Sequence, residues 1–447
     1  MHQTSEVFPL EAFANAASRV PAYQSLLREA GIEPAKIQSA EQFRGLPILE
    51  KQTTFQRFAI EQLCLDGKLG RLATVLTSSG HSGIFAFGLS DAQSIGGMTK
   101  WVDDLLDLLF AVRSKSTLLI NCLPMGVKVP TLACTLAETS VRPDMAVGLI
   151  KSFGGHFAQN LLIGEAAFIK HVLETGIRKG LNWRDHVVHV ILGEEPLAEN
   201  ARRYLGDILG HDLQRPEKGM IVSSMGIAEI GLNLFFEVPP LAPLVFLRRA
   251  MHDDRDLREA ILGPADSVPS LFTYDPSRIF VEFDDSGRLI LTTLDLTTRI
   301  PLIRYASGDR GAFVDIRPEV RPALEAHNIS WELLESIPMV LIAGRGEHAS
   351  APGTRVYPEQ VKEGIYHDPT LAKLATANFR LISDPVAVQI RIQLSPTIKP
   401  SPDLDAAFRA AISHYVGGSF DVTCREYESF RDGMALDYER KFRYVAN

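Results

Sequence analysis

The sequence predicts an α/β protein: a large unit built on a largely parallel sheet, a β-rich section attached to it, and a small C-terminal α+β unit. Three observations carry that prediction. From Leu72 to Ile191, short apolar runs such as Thr117 to Leu123 and Val187 to Leu192 alternate with longer amphipathic stretches such as Leu161 to Val172, which is the pattern of βαβ units. Ile279 to Phe283 and Arg288 to Thr293 are β-rich runs joined by Asp284-Asp285-Ser286-Gly287, the composition of a hairpin within a smaller antiparallel or barrel-like section. After Gly344-Arg345-Gly346 the chain restarts, so a boundary is expected near residue 345, with one domain over residues 1–345 and another over 346–447.

Each element has its own reason. Phe13, Ala17, Val20, Tyr23, Leu26 and Leu27 recur at helical spacing, and Pro21 must interrupt or restart that helix. Pro47 breaks the chain again before Lys51. Leu72 to Leu76 and Ile84 to Leu89 flank Thr77-Ser78-Ser79-Gly80-His81-Ser82-Gly83, so a strand, a tight loop and a second strand are expected there. Val187 to Leu192 is β-branched, nearly continuous and followed by Gly193, as a buried central strand should be. In the C-terminal unit Val386 to Leu394 reads as a strand, Ser395 to Pro402 as a Pro-rich linker, and Leu404 to Tyr415 as a helix. No repeat of fixed period is present.

Composition narrows the function classes. With 447 residues the chain exceeds what one core usually holds, and 46% hydrophobic with 22% charged residues is ordinary for a folded protein. The net charge of −8 argues against nucleic acid or an anionic membrane as main partner, since both reward a basic face. Cys64, Cys122, Cys134 and Cys424 are far apart, with no CxxC pair and no histidine at zinc-ligand spacing, so buried free thiols are expected. The N-terminus lacks the basic start and apolar core of a signal peptide. Its absence, with no charge-free run suited to span a bilayer, points to a cytoplasmic protein.

The run from Thr77 to Gly83 is the first chemical signal. A loop of hydroxyl residues and glycines brings backbone N–H groups close around phosphate oxygens, although Ser/Gly loops also simply turn chains. Three further segments follow it in order: Ser223-Ser224-Met225-Gly226-Ile227-Ala228-Glu229 after a strand-like Met220 to Val222; Leu302-Ile303-Arg304-Tyr305-Ala306-Ser307-Gly308-Asp309 after the hairpin; and Ile342-Ala343-Gly344-Arg345 before the expected boundary.

Together with the Ser/Gly loop, these segments resemble the adenylate-forming superfamily of acyl-CoA synthetases, adenylation domains and luciferases, and most of all its phenylacetate-CoA ligase branch. Arg19 to Tyr23, Leu46 to Lys51 and Gly193 to Leu197 look like that branch too, so the likeness spans almost the whole chain. The resemblance implies a large N-terminal adenylate-forming domain and a small mobile C-terminal lid. It implies ATP-dependent activation of a carboxylic acid through an acyl-adenylate, then transfer to a thiol, with ATP, Mg²⁺ and CoA as cofactors.

Carried over residue by residue, Ser78, Ser79, Gly80, His81, Ser82 and Gly83 would hold the β- and γ-phosphates. Gly193, Glu194, Ser224, Met225 and Gly226 would flank the adenine, and Asp309 would accept hydrogen bonds from the ribose hydroxyls. Glu229 would help to bind Mg²⁺, a role for a hard anionic oxygen. Arg345 would stand near ribose and phosphate. Lys441, in Glu439-Arg440-Lys441-Phe442-Arg443, falls where the superfamily carries the lysine that bridges the attacking carboxylate and the α-phosphate. Phe153, Gly155, His156, Ile227 and Ala228 would line an acyl pocket for an aryl or aliphatic acid. An apolar core role for Leu232 to Phe236 and a hydrogen-bonded structural role for His156 stand beside these readings.

The sequence also departs from the family pattern. His81 and Ser82 replace threonines in the phosphate loop, and Ile84-Phe85 follow Gly83 where relatives carry a lysine. Ala228 replaces a Ser or Thr, Met225 replaces an aromatic near the adenine, and Gly346-Glu347 replaces an acidic pair. A carrier-protein thiol or an amine in place of CoA, a non-catalytic nucleotide- or acyl-binding descendant, and a homodimer all stay open on the sequence.

Overall fold

A computed structural model describes residues 7–78, 83–124, 126–212, 215–237, 243–263, 265, 267–430 and 442–446. The opening residues form two helices, Val7–Arg19 and Pro21–Glu29, and Pro21 stands in the first turn of the second. There its fixed φ fits and its missing N–H costs no bond. Phe13, Ala17, Val20 and Tyr23 are buried in a core shared with Leu302, Ile303 and Tyr305.

Strands β1 (Thr74–Thr77) and β2 (Phe87–Ser90) pair antiparallel on either side of the hydroxyl-rich loop. The main sheet follows: β3 (Thr117–Asn121), β4 (Thr135–Glu138), β5 (Gln159–Gly164), β6 (Val188–Leu192), β7 (Ile221–Ile227), β8 (Gly231–Phe236), β9 (Ser270–Tyr274), β10 (Ile279–Phe283), β11 (Arg288–Thr293), β12 (Tyr305–Phe313) and β13 (Val340–Gly344). Eleven strands run in the order β10-β11-β12-β13-β9-β8-β7-β6-β5-β3-β4. Strands β4, β3, β5, β6 and β7 are mutually parallel, and from β7 to β10 every pairing is antiparallel. The expected hairpin at 279–293 is present, and the antiparallel section continues the parallel half as one mixed sheet instead of closing as a separate barrel.

The stretch from Leu161 to Val172 is not one amphipathic element. Leu161, Leu162 and Ile163 are buried in β5, and a helix, Ala166–Arg178, begins only after Gly164 and Glu165. A short apolar run satisfies either period, and complete burial between β3 and β6 decides for the strand.

Beyond β13 come the small hairpin β14 (Ala349–Ala351) and β15 (Thr354–Val356), then a three-stranded sheet of β16 (Ala375–Ile382), β17 (Val388–Leu394) and β18 (Phe420–Arg425). The helices Pro358–Ile365 and Pro402–Ile412 cover it. Its core residues Phe379, Ile390 and Phe408 are continuous with Val172, Leu197 and Tyr204 of the large unit. Cys64, Cys122 and Cys424 are buried free thiols, Cys134 is half-buried and free, and among the described residues no helix is long and apolar enough to cross a membrane.

Candidate active site

The parallel strands β5, β6 and β7 end side by side, and their C-terminal loops supply the first wall of a cavity of about 400 Å³. Open α/β sheets bind ligands at this edge. Glu165 follows β5, Gly193, Glu194 and Glu195 follow β6, and Ser224, Met225, Gly226, Ile227, Ala228 and Glu229 run along and beyond β7, all lining the cavity. Glu194 holds φ +75, a left-handed conformation rare for a residue with a side chain and most often found where a site requires it.

The antiparallel half closes the other side with Ser307 and Asp309 from β12 and Arg345 from the end of β13. Asp309 Oδ2 accepts the Ser307 hydroxyl at 3.0 Å, and Gly308 between them has φ +91. Arg345 is exposed between Gly344 and Gly346, both at positive φ near +68. Only glycine adopts that conformation without strain.

Glu229 is buried at the centre. Its Oε1 accepts the Tyr305 hydroxyl at 2.7 Å and stands 3.5 Å from Lys51 Nζ. Burial, then the Glu229 charge, raise the Tyr305 phenol far above its ordinary range, so it stays a donor. The main chain explains how Lys51 arrives there: Leu49 pairs with β12, donating its N–H to Arg304 O at 2.9 Å and accepting Ala306 N–H at 2.8 Å. Lys51 was not singled out from the sequence for any role. It supplies a cation to the cavity, whereas Ile84 and Phe85 follow Gly83 in the loop.

The loop itself is anchored at Ser78, which is buried and lines the cavity. Its N–H donates to Ala86 O and its hydroxyl accepts Ala86 N–H, both at 2.9 Å. Gly83 is exposed with φ +78, while Ser79, Gly80, His81 and Ser82 lie outside the described residues, as does Lys441. The three residues after it, Phe442, Arg443 and Tyr444, line the cavity.

The acyl-pocket expectation needs a correction. Phe153, Gly155 and His156 are exposed on the turn that leads into β5, at the opposite end of that strand from Glu165, and none lines the cavity. Ile227 and Ala228 do line it. The apolar wall comes instead from the Ala92–Phe110 helix, from the loop after β3, and from Leu232 and Phe236 of β8.

Sequence reasoning also missed a cluster on the C-terminal side. Lys362 Nζ meets Glu195 Oε2 at 2.5 Å, Tyr444 donates to Glu195 Oε1 at 3.3 Å, and Lys362 lies 4.4 Å from the centre of the Tyr444 ring. Glu165 is buried beside them, and burial, then the neighbouring Glu195 charge, push its carboxyl well above the usual range. Its partners are 167 residues apart in sequence, so no local pattern pointed to it.

Comparison with solved structures decides the fold. The chain superposes on 2-hydroxyisobutyryl-CoA ligase in its postadenylation state, bound to an acyl-AMP, with a TM-score of 0.71 at 13% identity over 98% of this chain and 88% of the other. This chain has the fold of the adenylate-forming ligases. The same ligase in an open conformation with 2-HIB-AMP and CoA gives a TM-score of 0.57 at 14% identity over 98% of this chain and 90% of the other. In the thioesterification state it gives 0.54 at 14% identity over 98% and 88%. No protein-family model and no curated protein matches the chain.

Proposed function

We propose that the chain activates a carboxylic acid with ATP, forming an acyl-adenylate and pyrophosphate, and then transfers the acyl group to a thiol, that of CoA, as a phenylacetate-CoA ligase-like acid–thiol ligase of the cytoplasm. One observation carries the reading: Ser78, Gly193 with Glu194, Ser224 to Gly226, Glu229, Asp309 and Arg345, from five separate stretches of sequence, line a single cavity. Chance turns and caps have no reason to converge on one space.

In the first step a carboxylate oxygen of the acid attacks the α-phosphorus and the bond to the bridging oxygen of pyrophosphate breaks. Asp309 would accept the ribose hydroxyls, Met225 and Gly226 would flank the adenine, and Arg345 with Lys51 would meet phosphate charge. Glu229 fits a magnesium ion, which commonly takes one or two carboxylates and completes its shell with nucleotide phosphates and water. Its Oε1 already meets Tyr305 and Lys51, which leaves Oε2 as the carboxylate oxygen that could hold the ion. Mg²⁺ would neutralise the leaving pyrophosphate. Lys441 would bridge the carboxylate and the α-phosphate, a role supported by the cavity position of Phe442 to Tyr444. The units 1–345 and 346–447 would turn about Gly344 and Gly346, exchanging this lysine for the acceptor site.

The test is acid-dependent exchange of pyrophosphate into ATP, followed by thioester formation with CoA. Lys441→Ala is expected to lower exchange by at least about a hundredfold, the scale of losing a group that stabilises transition-state charge. Exchange that persists in that variant removes the assignment of Lys441. Exchange without thioester, but with acylation of a carrier protein or an amine, changes the acceptor. Failure to bind ATP with Mg²⁺ under any acid supports the non-catalytic binding protein.

A further inference from the structure

The cavity has an arm that the nucleotide reading does not use. The Ala92–Phe110 helix runs from the strand ends downwards: it starts just after β2, whose Gly88 lies against the Ala228 carbonyl, and its last carbonyl, Phe110 O, accepts the Gln159 side chain at the start of β5, at 2.9 Å. Val102, Leu105 and Leu109 of this helix all line the cavity. They therefore mark a descent from the strand ends, where the polar groups gather, towards the bottom of the sheet. Seven residues of helix cover roughly 10 Å, a groove longer than one aromatic ring. Val127 and Val129 close it from the loop after β3, and Ile163 from β5.

The arm is held open by a polar brace outside it. Asp103, buried on the same helix, accepts the Thr131 hydroxyl at 2.5 Å and the N–H groups of Leu132 and Ala133 at 3.2 Å. This fixes the 127–133 loop against the helix. The polar groups nearest the arm are engaged with one another: Glu237 pairs with Arg202 at 2.6 Å and accepts Ser223 N–H at 2.7 Å, and the Ser224 hydroxyl donates to Asn233 at 3.0 Å. A hydroxyl or amino substituent carried into the arm would lose its water and meet branched aliphatic side chains, at a cost that unsubstituted chains avoid.

Resting on the adenylation reading, we infer that this arm takes the chain of an unsubstituted, medium-length aliphatic carboxylic acid, with Leu109 as its floor. Each methylene buried there should raise specificity roughly fourfold until the chain meets the floor. The length of the acid is thus set by the Ala92–Phe110 helix. The carboxylate end stays at the strand ends, where the polar groups gather.

The experiment compares butanoate, hexanoate, octanoate, decanoate, benzoate and phenylacetate on the wild-type chain and on Leu109→Trp, by pyrophosphate exchange and, without ATP, by ligand-induced thermal shift. The expected result is a rise from butanoate to a longer aliphatic optimum, and in Leu109→Trp a shift of that optimum by two or more carbons towards shorter acids, with the loss growing with chain length. A preference for benzoate or phenylacetate, or a uniform change across all acids, overturns the proposal. Length-dependent binding that Leu109→Trp shortens, without any exchange, overturns the adenylation reading and keeps the arm. Binding that ignores chain length overturns the arm, whatever the exchange does. Leu108→Trp, at an exposed position of the same helix outside the cavity lining, separates a shortened arm from a misfolded protein: it should keep the wild-type length profile.

Discussion

Glu363 of the C-terminal unit accepts the backbone N–H of Glu199, at the head of the Glu199–Leu209 helix of the large unit, at 2.7 Å. The same carboxylate accepts Asn200 N–H at 2.9 Å and stands 3.3 Å from His252 Nε2. A helix has no side-chain cap of its own there, so the second unit supplies one. Glu363→Ala is expected to cost about 2–3 kcal/mol, because it strips charge-assisted bonds from buried donors. Thermal melting together with limited proteolysis of the C-terminal unit checks it: the unit should become cleavable before the large one unfolds.

The same contact should respond to pH. Burial alone would depress His252, but its bond to Glu363, the Glu363 charge, its bond to Asp253 and the Glu199 charge lift it above 6.5. A histidine raised in the folded state contributes its full stabilisation below its unfolded pKa and loses it as pH climbs through the folded one. The stability gap between the wild-type chain and His252→Asn should therefore hold below pH 6.5 and narrow above it. A gap that widens over that range contradicts the assignment.

Glu165 should act in the same direction. Its carboxyl is raised by burial and then by Glu195, so the folded chain holds a proton there that the unfolded chain releases just above 4.5. That favourable protonation fades as pH rises through the folded value. Glu165→Gln keeps a neutral side chain at every pH, and is expected to flatten the alkaline loss of stability. Denaturant unfolding followed from pH 5 upward reads the slope, which should fall by up to one proton.

What the sequence revealed of this site was local chemistry. Gly308-Asp309, Gly344-Arg345 and Ser224 to Glu229 declare themselves through residue types that only particular backbone shapes allow, and those shapes are set by neighbours in the chain. The hairpin at Asp284 to Gly287 was legible for the same reason, since its turn encodes its own register. His156 failed because composition does not say at which end of β5 a segment lies. Lys51 and Lys362 escaped notice because their meaning comes from partners in distant parts of the chain, Glu229 and Glu195. The apolar cavity wall on the Ala92–Phe110 helix was hidden for another reason: Val102 and Leu105 look the same in sequence whether they meet core or an open cavity.

Lys51 is expected to matter to catalysis more than to folding. Its side chain is largely buried against Glu229 and lines the cavity, in a chain where no lysine follows Gly83. Lys51→Met should lower kcat/KM for pyrophosphate exchange by roughly 10- to 100-fold, while Lys51→Arg keeps the charge and should recover part of it. An unchanged rate in Lys51→Met would mean that this cation only neutralises Glu229.

Gly88 tests how tightly the β1–β2 hairpin is seated on the segment that carries Glu229. A Cβ built on it would lie 2.2 Å from the carbonyl oxygen of Ala228 and 3.6 Å from the Cα of Glu229. Both obstacles are backbone, so neither side can rotate out of the way as a flexible side chain would. Gly88→Ala must then push β2 and its loop away from Glu229, or push Glu229 away from Tyr305, whose hydroxyl it accepts at 2.7 Å. Misplacing a positioned group by about 1 Å costs on the order of a hundredfold in rate. The pair β1 and β2 stands as a sheet of its own, so the main core should be little disturbed. Gly88→Ala is therefore expected to lose exchange activity far more than thermal stability. A variant that melts early and exchanges normally until it does would show that the contact supports the fold and not the geometry at Glu229.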